Sequence, residues 1–157
     1  MRLFLAIDLP SELKDKLEKL AIEKQIKTDL HRREKFHITL VFIGDRDLNE
    51  IINKLKDFSF KSFQVKLTGQ PDIPHVNGFA AAAPELIPLM KQVYELLEIP
   101  MKDLKPHVTL SEVELLNEKA SLTETFEFNA DKILLINSTI TPEGHVYSTL
   151  KEFNAVN

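Results

Sequence analysis

The sequence predicts an α+β fold of two lobes. Apolar residues recur at strand spacing in some stretches and at helical spacing in others, and the two kinds of stretch alternate along the chain. A tetrad of the form His-x-Thr-Leu occurs at 37–40 and again at 107–110, and a turn-rich segment at 70–78 lies between the copies. We therefore expect two small antiparallel sheets with helices packed outside them and a central groove between the lobes, with a single mixed sheet as the alternative.

The first half of the chain is predicted as strand, helix, strand, helix and strand. A short apolar run predicts the first strand at 3–8, and Pro10 with the two polar residues after it marks the start of a helix. Apolar residues then recur every three or four positions at 13–21 and again at 48–55, which indicates two amphipathic helices. Alternation at 63–67 predicts the third strand.

The strand that contains the first tetrad, 36–43, alternates between two faces. One face is entirely apolar and is predicted to lie in the core; it consists of Phe36, Ile38, Leu40 and Phe42. The opposite face consists of His37, Thr39, Val41 and Ile43. Because side chains two residues apart in a strand point the same way, the imidazole and the hydroxyl of the tetrad share one face.

The second half repeats this order loosely. A short strand is predicted at 79–83, a helix opened by Pro84 and Pro88 follows it, and the second tetrad forms a strand after Pro106. Three more strands are predicted near the end of the chain, at 126–128, 132–140 and 146–153, with a turn at 141–144.

Two opposed His-x-Thr pairs are suited to in-line displacement at phosphorus. That reaction needs a base for the attacking oxygen and an acid for the leaving oxygen on the other side of the phosphate. His37 and His107 supply the pair, because imidazole titrates near neutral pH. Thr39 and Thr109 can donate hydrogen bonds to the non-bridging oxygens. The sequence therefore predicts a phosphoesterase with a bell-shaped pH profile that needs neither a metal nor a cofactor.

Composition narrows the class of protein. With 157 residues and 43% hydrophobic content, we expect one domain over 1–157 with a substantial core. The chain has no cysteine, which excludes disulfides and thiolate chemistry and favours a cytoplasmic location. A net charge of −4 argues against a protein that coats long nucleic acid. The first apolar run is too short for a signal peptide or a membrane span, so we expect no membrane association.

A metal site is another interpretation of two histidines. The chain has no cysteine, no His-Glu-x-x-His motif and no carboxylate cluster beside either tetrad, so this interpretation is disfavoured. The remaining histidines, His31, His75 and His145, lack the threonine partner and are interpreted as surface residues.

Over nearly its whole length the chain resembles the two-histidine phosphoesterases, and within them the RNA 2′,3′-cyclic phosphodiesterases, also called 2′-5′ RNA ligases. The resemblance rests on both tetrads, on the opening residues 2–10 and on Phe42-Ile43-Gly44 after the first tetrad. Near the end of the chain it includes Ser138, Thr141, Pro142, Gly144 and Tyr147.

This resemblance implies pseudo-twofold symmetry about the groove and metal-independent opening of a 2′,3′-cyclic phosphate to a 2′-phosphomonoester. Reversible 2′-5′ joining is implied as a minor activity, and RNA ends or small nucleotides bearing a cyclic phosphate as the partners. By resemblance His37 is the proton donor to the leaving 3′ oxygen and His107 the proton acceptor that activates water. Thr39 and Thr109 are the phosphate-binding residues, and a monomer is expected.

One position departs from the family. The second motif usually continues to an arginine or lysine three residues after its threonine, where this chain has Glu112. A carboxylate there repels an anionic substrate. The basic cluster at 32–35 is a solvated loop in its simplest interpretation, but its position makes it a candidate for replacing the missing cation. The candidates for substrate contact are Arg33, Lys35 and Lys105, together with Phe79 and Tyr147 as base-stacking rings that have the core as their alternative.

Glu112 keeps other functions open. The same chemistry can act on 2′-5′-linked oligonucleotides or on an ADP-ribose cyclic phosphate, and a protein that binds RNA ends or nucleotides without turnover is a different class of function. The tetrads can also be chance features of a structural α+β protein, which predicts no stabilisation by nucleotides.

Overall fold

The computed structural model describes residues 2–27 and 32–157, with residue 32 described by its backbone alone. Three helices and eight strands are assigned there, in the order β1 Arg2–Asp8, α1 Ser11–Glu23, β2 His37–Asp45, α2 Leu48–Lys54, β3 Phe63–Gly69, β4 Val76–Ala82, α3 Leu86–Leu97, β5 His107–Glu112, β6 Thr125–Ala130, β7 Lys132–Thr141 and β8 Gly144–Asn154. Short 3₁₀ turns lie at Arg32–Lys35 and Leu116–Glu118. The α+β prediction is confirmed.

The strands form one antiparallel sheet of eight in the order β6-β3-β4-β5-β2-β1-β7-β8. The two predicted sheets are the halves of this sheet, which is continuous, as in the single-sheet alternative, but antiparallel throughout and not mixed. Strands β2 and β5, one from each half, pair through Ile38 and Val108, the second residues of the two tetrads. Joining them covers two strand edges that would otherwise be left unpaired.

The halves are related by a pseudo-twofold arrangement. Starting from the central pair, one half continues β2-β1-β7-β8 and the other β5-β4-β3-β6. Because β2 and β5 are antiparallel and meet at Ile38 and Val108, the approximate axis passes between these two residues. The tetrads therefore lie at the centre of the molecule.

The helices and the groove occupy opposite faces of the sheet. Helix α1 buries Leu13, Leu17, Leu20 and Ala21, and α3 buries a longer stripe that includes Leu89, Val93 and Leu97. These residues pack on one main core with the inward side chains of the strands, such as Leu5 and Ile38. A small second cluster of Phe4, Ala6 and Ile136 lies on the other face, which leaves that face open along the tetrads.

Each tetrad ends in a β-bulge at its leucine. The pairing of β1 with β2 shifts by one residue between Thr39 and Val41, and the pairing of β4 with β5 shifts between Thr109 and Ser111. A bulge inserts one residue and reverses which side chains face which way beyond it. Val41 is consequently buried and Phe42 is 71% exposed, so the prediction that Phe42 belongs to the core face is wrong.

Other boundaries differ less. The irregular segment predicted at 70–78 ends earlier, because β4 begins at Val76 and pairs with the end of β5. Helix α3 contains Pro88 within its first turn, where a missing N–H costs no helical hydrogen bond.

Within the ranges described, each helix is too short or too polar to cross a bilayer.

Candidate functional site

The strand register gathers the four tetrad side chains on the open face of the sheet. Continuing the pairing of Ile38 with Val108 by one residue in each direction sets His37 beside Thr109 and Thr39 beside His107. Ile38 and Val108 themselves point the opposite way into the core, where both are fully buried. A groove of about 610 Å³ runs over the tetrads and is lined by Lys27, Lys35, Phe36, His37, Thr39, Phe42, Val76, His107, Thr109, Leu110, Ser111, Glu112, His145 and Tyr147.

Both imidazoles are fixed by the same backbone contact. Nδ1 of His37 lies 2.6 Å from the carbonyl oxygen of Lys35, and Nδ1 of His107 lies 2.7 Å from the carbonyl oxygen of Lys105. A carbonyl only accepts, so Nδ1 carries the proton and donates in each case. Each ring therefore presents Nε2, the atom that can take up or give up a proton, to the groove.

The ring of His37 is uncharged at neutral pH. Burial of the ring lowers its pKa to about 4, while the hydrogen bond to the Lys35 carbonyl acts in the opposite direction. At neutral pH its Nε2 therefore holds a lone pair and accepts a hydrogen bond from Thr39 Oγ1 at 2.9 Å. Protonation would reverse the direction of this bond without breaking it.

Aromatic rings bury His37 from the side of the first lobe. The ring centroids of Phe4 and Tyr147 lie 5.1 and 5.7 Å from that of His37, and these two rings meet each other edge to face at 5.2 Å. The charges that contribute to the His37 pKa include Asp8 and Lys14, which form an ion pair at 2.8 Å beside the ring. A second cavity of about 610 Å³ continues from the groove past these residues.

Several predicted residues do line the groove. The catalytic and phosphate-binding candidates are the four tetrad side chains already described, and Lys35 and Tyr147 line the groove beside them. His145 is exposed, as predicted, and it also lines the groove; its Nδ1 lies 3.1 Å from Ser138 Oγ. His75 is exposed outside the groove, and His31 lies outside the described residues.

The structure places three predicted substrate contacts elsewhere, two of them cations. Arg33 donates to Asp15 at 2.6 Å and to the Ser11 backbone on α1, which neutralises its charge away from the groove. Lys105 donates to the Asp72 carbonyl at 3.0 Å, so the backbone oxygen of Lys105, not its ammonium group, serves the site.

The third of these residues, Phe79, is fully buried. It belongs to the core, which was the alternative to a base-stacking role. It pairs with Val108, the residue whose side chain points away from the groove, and therefore shares the core face. Its ring packs edge to face on Phe126 at 5.4 Å.

Sequence reasoning missed Phe42 and Lys27 as groove residues. A signal for Phe42 was present: the family resemblance gives a role to the position three residues after the second threonine, and Phe42 is the equivalent position after the first. Lys27 carries no such signal. Among the residues that the structure describes, no group of three or more His, Cys, Asp or Glu side chains could hold a metal ion.

Comparisons with known proteins found a family model and several similar sequences. The family model described as LigT like phosphoesterase matches residues 7–70. An RNA 2′,3′-cyclic phosphodiesterase of Methanocaldococcus jannaschii is 31% identical, over 98% of this chain and 100% of the relative. A protein of the same name from Archaeoglobus fulgidus is 28% identical, over 98% of this chain and 99% of the relative.

Solved structures share the fold over nearly the full length. Escherichia coli LigT complexed with 3′-AMP superposes with a TM-score of 0.82 at 16% identity, covering 99% of this chain and 98% of that one. The protein TT0787 of Thermus thermophilus superposes with a TM-score of 0.74 at 22% identity, covering 98% and 97%.

Proposed function

Because the chain belongs to the family of LigT-like phosphoesterases that includes these RNA 2′,3′-cyclic phosphodiesterases, we propose that it hydrolyses 2′,3′-cyclic phosphate ends of RNA to 2′-phosphomonoesters. The observation that carries the proposal is the pair of imidazoles, each held by a carbonyl at Nδ1, that present Nε2 to one groove. Two hydroxyls, from Thr39 and Thr109, face the same groove. This set supplies an acid, a base and two donors for one phosphate.

The proposed step transfers one proton at each side of phosphorus. Nε2 of His107 takes a proton from water as the water oxygen forms a bond to phosphorus. The bond from phosphorus to the 3′ oxygen breaks, and that oxygen takes a proton from Nε2 of His37. The 2′ bond stays intact, so the product is a 2′-phosphomonoester with a free 3′ hydroxyl. This division of roles is the one that the family resemblance implies.

His37 must gain a proton before it can act as the acid. Burial of the ring disfavours its charged form and holds its pKa at about 4. A phosphate monoanion bound beside Nε2 favours the imidazolium form and raises that pKa. Substrate binding therefore supplies the condition for the acid role, and Thr39 Oγ1 stays within hydrogen-bonding distance of either form of the ring.

The same site supports transesterification, in which an alcohol takes the place of water. If a 5′ hydroxyl replaces water as the nucleophile, His107 deprotonates it and the product is a 2′-5′ linkage. We expect this joining to be minor, because water is present at far higher concentration than an RNA end. Monomeric state, cytoplasmic location and one domain over 1–157 stay predictions.

The test is incubation in EDTA with a short RNA that ends in a 2′,3′-cyclic phosphate. We expect a 2′-phosphate end, identified by mass and by sensitivity to phosphatase, and its loss in His37→Ala and His107→Ala. His75→Ala is the matched control, because His75 is exposed and lies outside the groove. Full turnover in both tetrad variants would refute the assignment of the site.

Glu112 favours a second candidate substrate. Its carboxylate lines the groove where the family usually has a cation, which disfavours a substrate with several phosphates close together. A 2′-5′-linked dinucleotide carries a single phosphodiester, and an ADP-ribose cyclic phosphate carries more charge. Turnover of the dinucleotide with the RNA cyclic end left unchanged would select the first of these over the leading proposal. Binding of either without turnover would indicate a binding module.

A further inference from the structure

The second cavity continues the open face of the sheet from the tetrad onto β1 and β7. Its floor is apolar and consists of Ala6, Leu134 and Ile136. Ala6 pairs with Thr39 on one side and with Leu134 on the other. Because the side chains of directly paired residues lie on the same face, this floor and the hydroxyl of Thr39 belong to one surface.

The walls of the second cavity are suited to a nucleoside more than to a phosphate. Asp8, Glu34 and Glu152 line it, and the carboxylate of Asp8 is paired with Lys14 at 2.8 Å. Carboxylates repel a phosphate, but they accept hydrogen bonds from the amino groups of nucleobases. The volume of about 610 Å³ is in the range of sites for small ligands. An apolar floor with acceptors around it therefore fits a base and its ribose.

The junction between the groove and the second cavity offers donors to an anion. Lys35 and His145 line both spaces, on either side of the opening beside His37. An ammonium group and an imidazole N–H can both donate to phosphate oxygens. The opposite end of the groove presents the carboxylate of Glu112 instead. A phosphate next to the reacting one is therefore favoured at the junction and disfavoured beside Glu112.

An RNA end carries such a phosphate. The ribose with the cyclic phosphate is joined through its 5′ oxygen to a phosphodiester, which leads to the preceding nucleoside. We propose that this phosphodiester lies between Lys35 and His145 and that the preceding nucleoside occupies the second cavity. The inference rests on the proposed phosphoesterase function. It means that the protein binds the end of an RNA chain more tightly than a single cyclic nucleotide.

Three substrates of increasing length separate the proposed contacts. They are adenosine 2′,3′-cyclic phosphate, its 5′-phosphorylated form, and the 3′-5′-linked adenosine dinucleotide that ends in the same cyclic phosphate. For the wild type we expect the 5′ phosphate to lower KM about two- to fivefold, since exposed ion pairs have modest effects. The preceding nucleoside should lower KM about tenfold further, which corresponds to burial of about 60 Å² of apolar surface. Equal KM values for all three substrates would overturn the proposal.

Thr149→Trp tests the second cavity. Thr149 is exposed on β8, an edge strand, where a large aromatic side chain is compatible with the strand and fills the cavity that Thr149 lines. We expect KM for the dinucleotide to rise to that of the phosphorylated mononucleotide, with a much smaller change for the mononucleotides. Ser148→Trp is the matched control, because Ser148 is the exposed neighbour outside both spaces. A nucleoside effect retained in Thr149→Trp, or lost equally in Ser148→Trp, would overturn the proposal.

Lys35→Gln and His145→Gln test the junction. The first variant keeps the backbone carbonyl that accepts from His37, so it changes the side chain alone. Each variant should reduce the effect of the 5′ phosphate on KM and retain most of the effect of the preceding nucleoside. An unchanged effect of the 5′ phosphate in both variants would refute the placement of the phosphodiester.

A binding measurement separates this inference from the proposed activity. Calorimetric titration with adenosine 2′-monophosphate and with the adenosine dinucleotide that ends in a 2′-phosphate needs no turnover. If the wild type cleaves none of the three substrates, the proposed function fails. Tighter binding of the dinucleotide that is lost in Thr149→Trp would still support the second cavity as a nucleoside site, and equal affinities in the wild type would refute it.

Discussion

Replacing the groove carboxylate should strengthen the binding of anionic substrates. Glu112 is the next groove-facing position after Thr109, about 7 Å along the strand from the hydroxyl proposed to hold phosphate. Two unit charges at that separation repel by about 0.6 kcal/mol in a medium like water and by about 2.4 kcal/mol at an effective dielectric constant of about 20. Because Glu112 is exposed, the lower part of this range applies.

Two substitutions of Glu112 should lower KM by different amounts. Glu112→Gln removes the repulsion, and we expect KM for a nucleoside 2′,3′-cyclic phosphate to fall about three- to fivefold. Glu112→Arg also adds an attraction of similar size, so the expected fall is about eight- to thirtyfold. The gain should shrink as salt rises from about 0.05 M to about 1 M, because the Debye length then falls from more than about 10 Å to about 3 Å.

Steady-state kinetics on one cyclic nucleotide, with inorganic phosphate as a competitive inhibitor, measure both variants. Glu114→Gln is the matched control: it makes the same change in net charge on an exposed residue outside the groove, and it should leave KM unchanged. An unchanged or higher KM in both Glu112 variants, or an equal gain in Glu114→Gln, would refute the reasoning.

Three further predictions concern stability and the residues placed outside the groove. Gly78→Ala should destabilise the fold by about 2 kcal/mol or more and lower kcat. The reason is that a Cβ at Gly78 would lie 2.1 Å from the carbonyl oxygen of Val108, in the strand that carries His107. An unchanged midpoint of urea unfolding would contradict this prediction. The pKa of His37 is about 4 in the folded protein and about 6.5 in the unfolded chain, so the unfolded chain binds the imidazole proton at higher pH. The free energy of unfolding therefore falls by up to about 3 kcal/mol as the pH drops from about 6.5 to 4. His37→Gln should remove that part of the acid sensitivity in urea titrations at about pH 7 and about pH 4.5, and a wild-type slope in the variant would contradict the assignment. Arg33→Gln should leave KM within about twofold of the wild type, because its guanidinium is bound by Asp15; a large rise in KM would return Arg33 to the substrate site.

Much of the site could be predicted from the sequence because strand alternation and the repeated tetrad agree there. Alternation alone places His37 and Thr39 on one face, and the second copy places His107 and Thr109 likewise. The local sequence is therefore enough to predict that the histidine and the threonine of each tetrad share a surface. Their meeting in one groove was expected from the repeat of the tetrad in two lobes, but the pairing of the two strands with each other was not predicted.

Other features depend on contacts that local pattern does not encode. A bulge is a property of two strands and their register, so alternation at 36–43 assigned Phe42 to the wrong face. Arg33 has a choice between the groove and the carboxylate of Asp15, and the α1 geometry decides it. The tautomer of each histidine is set by a backbone oxygen two residues earlier, a contact that is independent of the identity of Lys35 or Lys105.

The doubled tetrad gives the groove its symmetry, but in-line displacement requires two unlike partners at phosphorus. A strictly symmetric site would bind its substrate in two equivalent directions and would give each histidine the same surroundings. The differences between the lobes remove this degeneracy: Asp8 is paired beside His37 in the sheet, whereas Ala80 is paired beside His107, and aromatic rings bury His37. Phe42 and Glu112 lie three residues after the threonines of the first and second tetrads, and they also differ. One side chain is apolar and the other is anionic. We therefore expect the residues that break the repeat to determine the direction of substrate binding, and the residues that repeat to carry out catalysis.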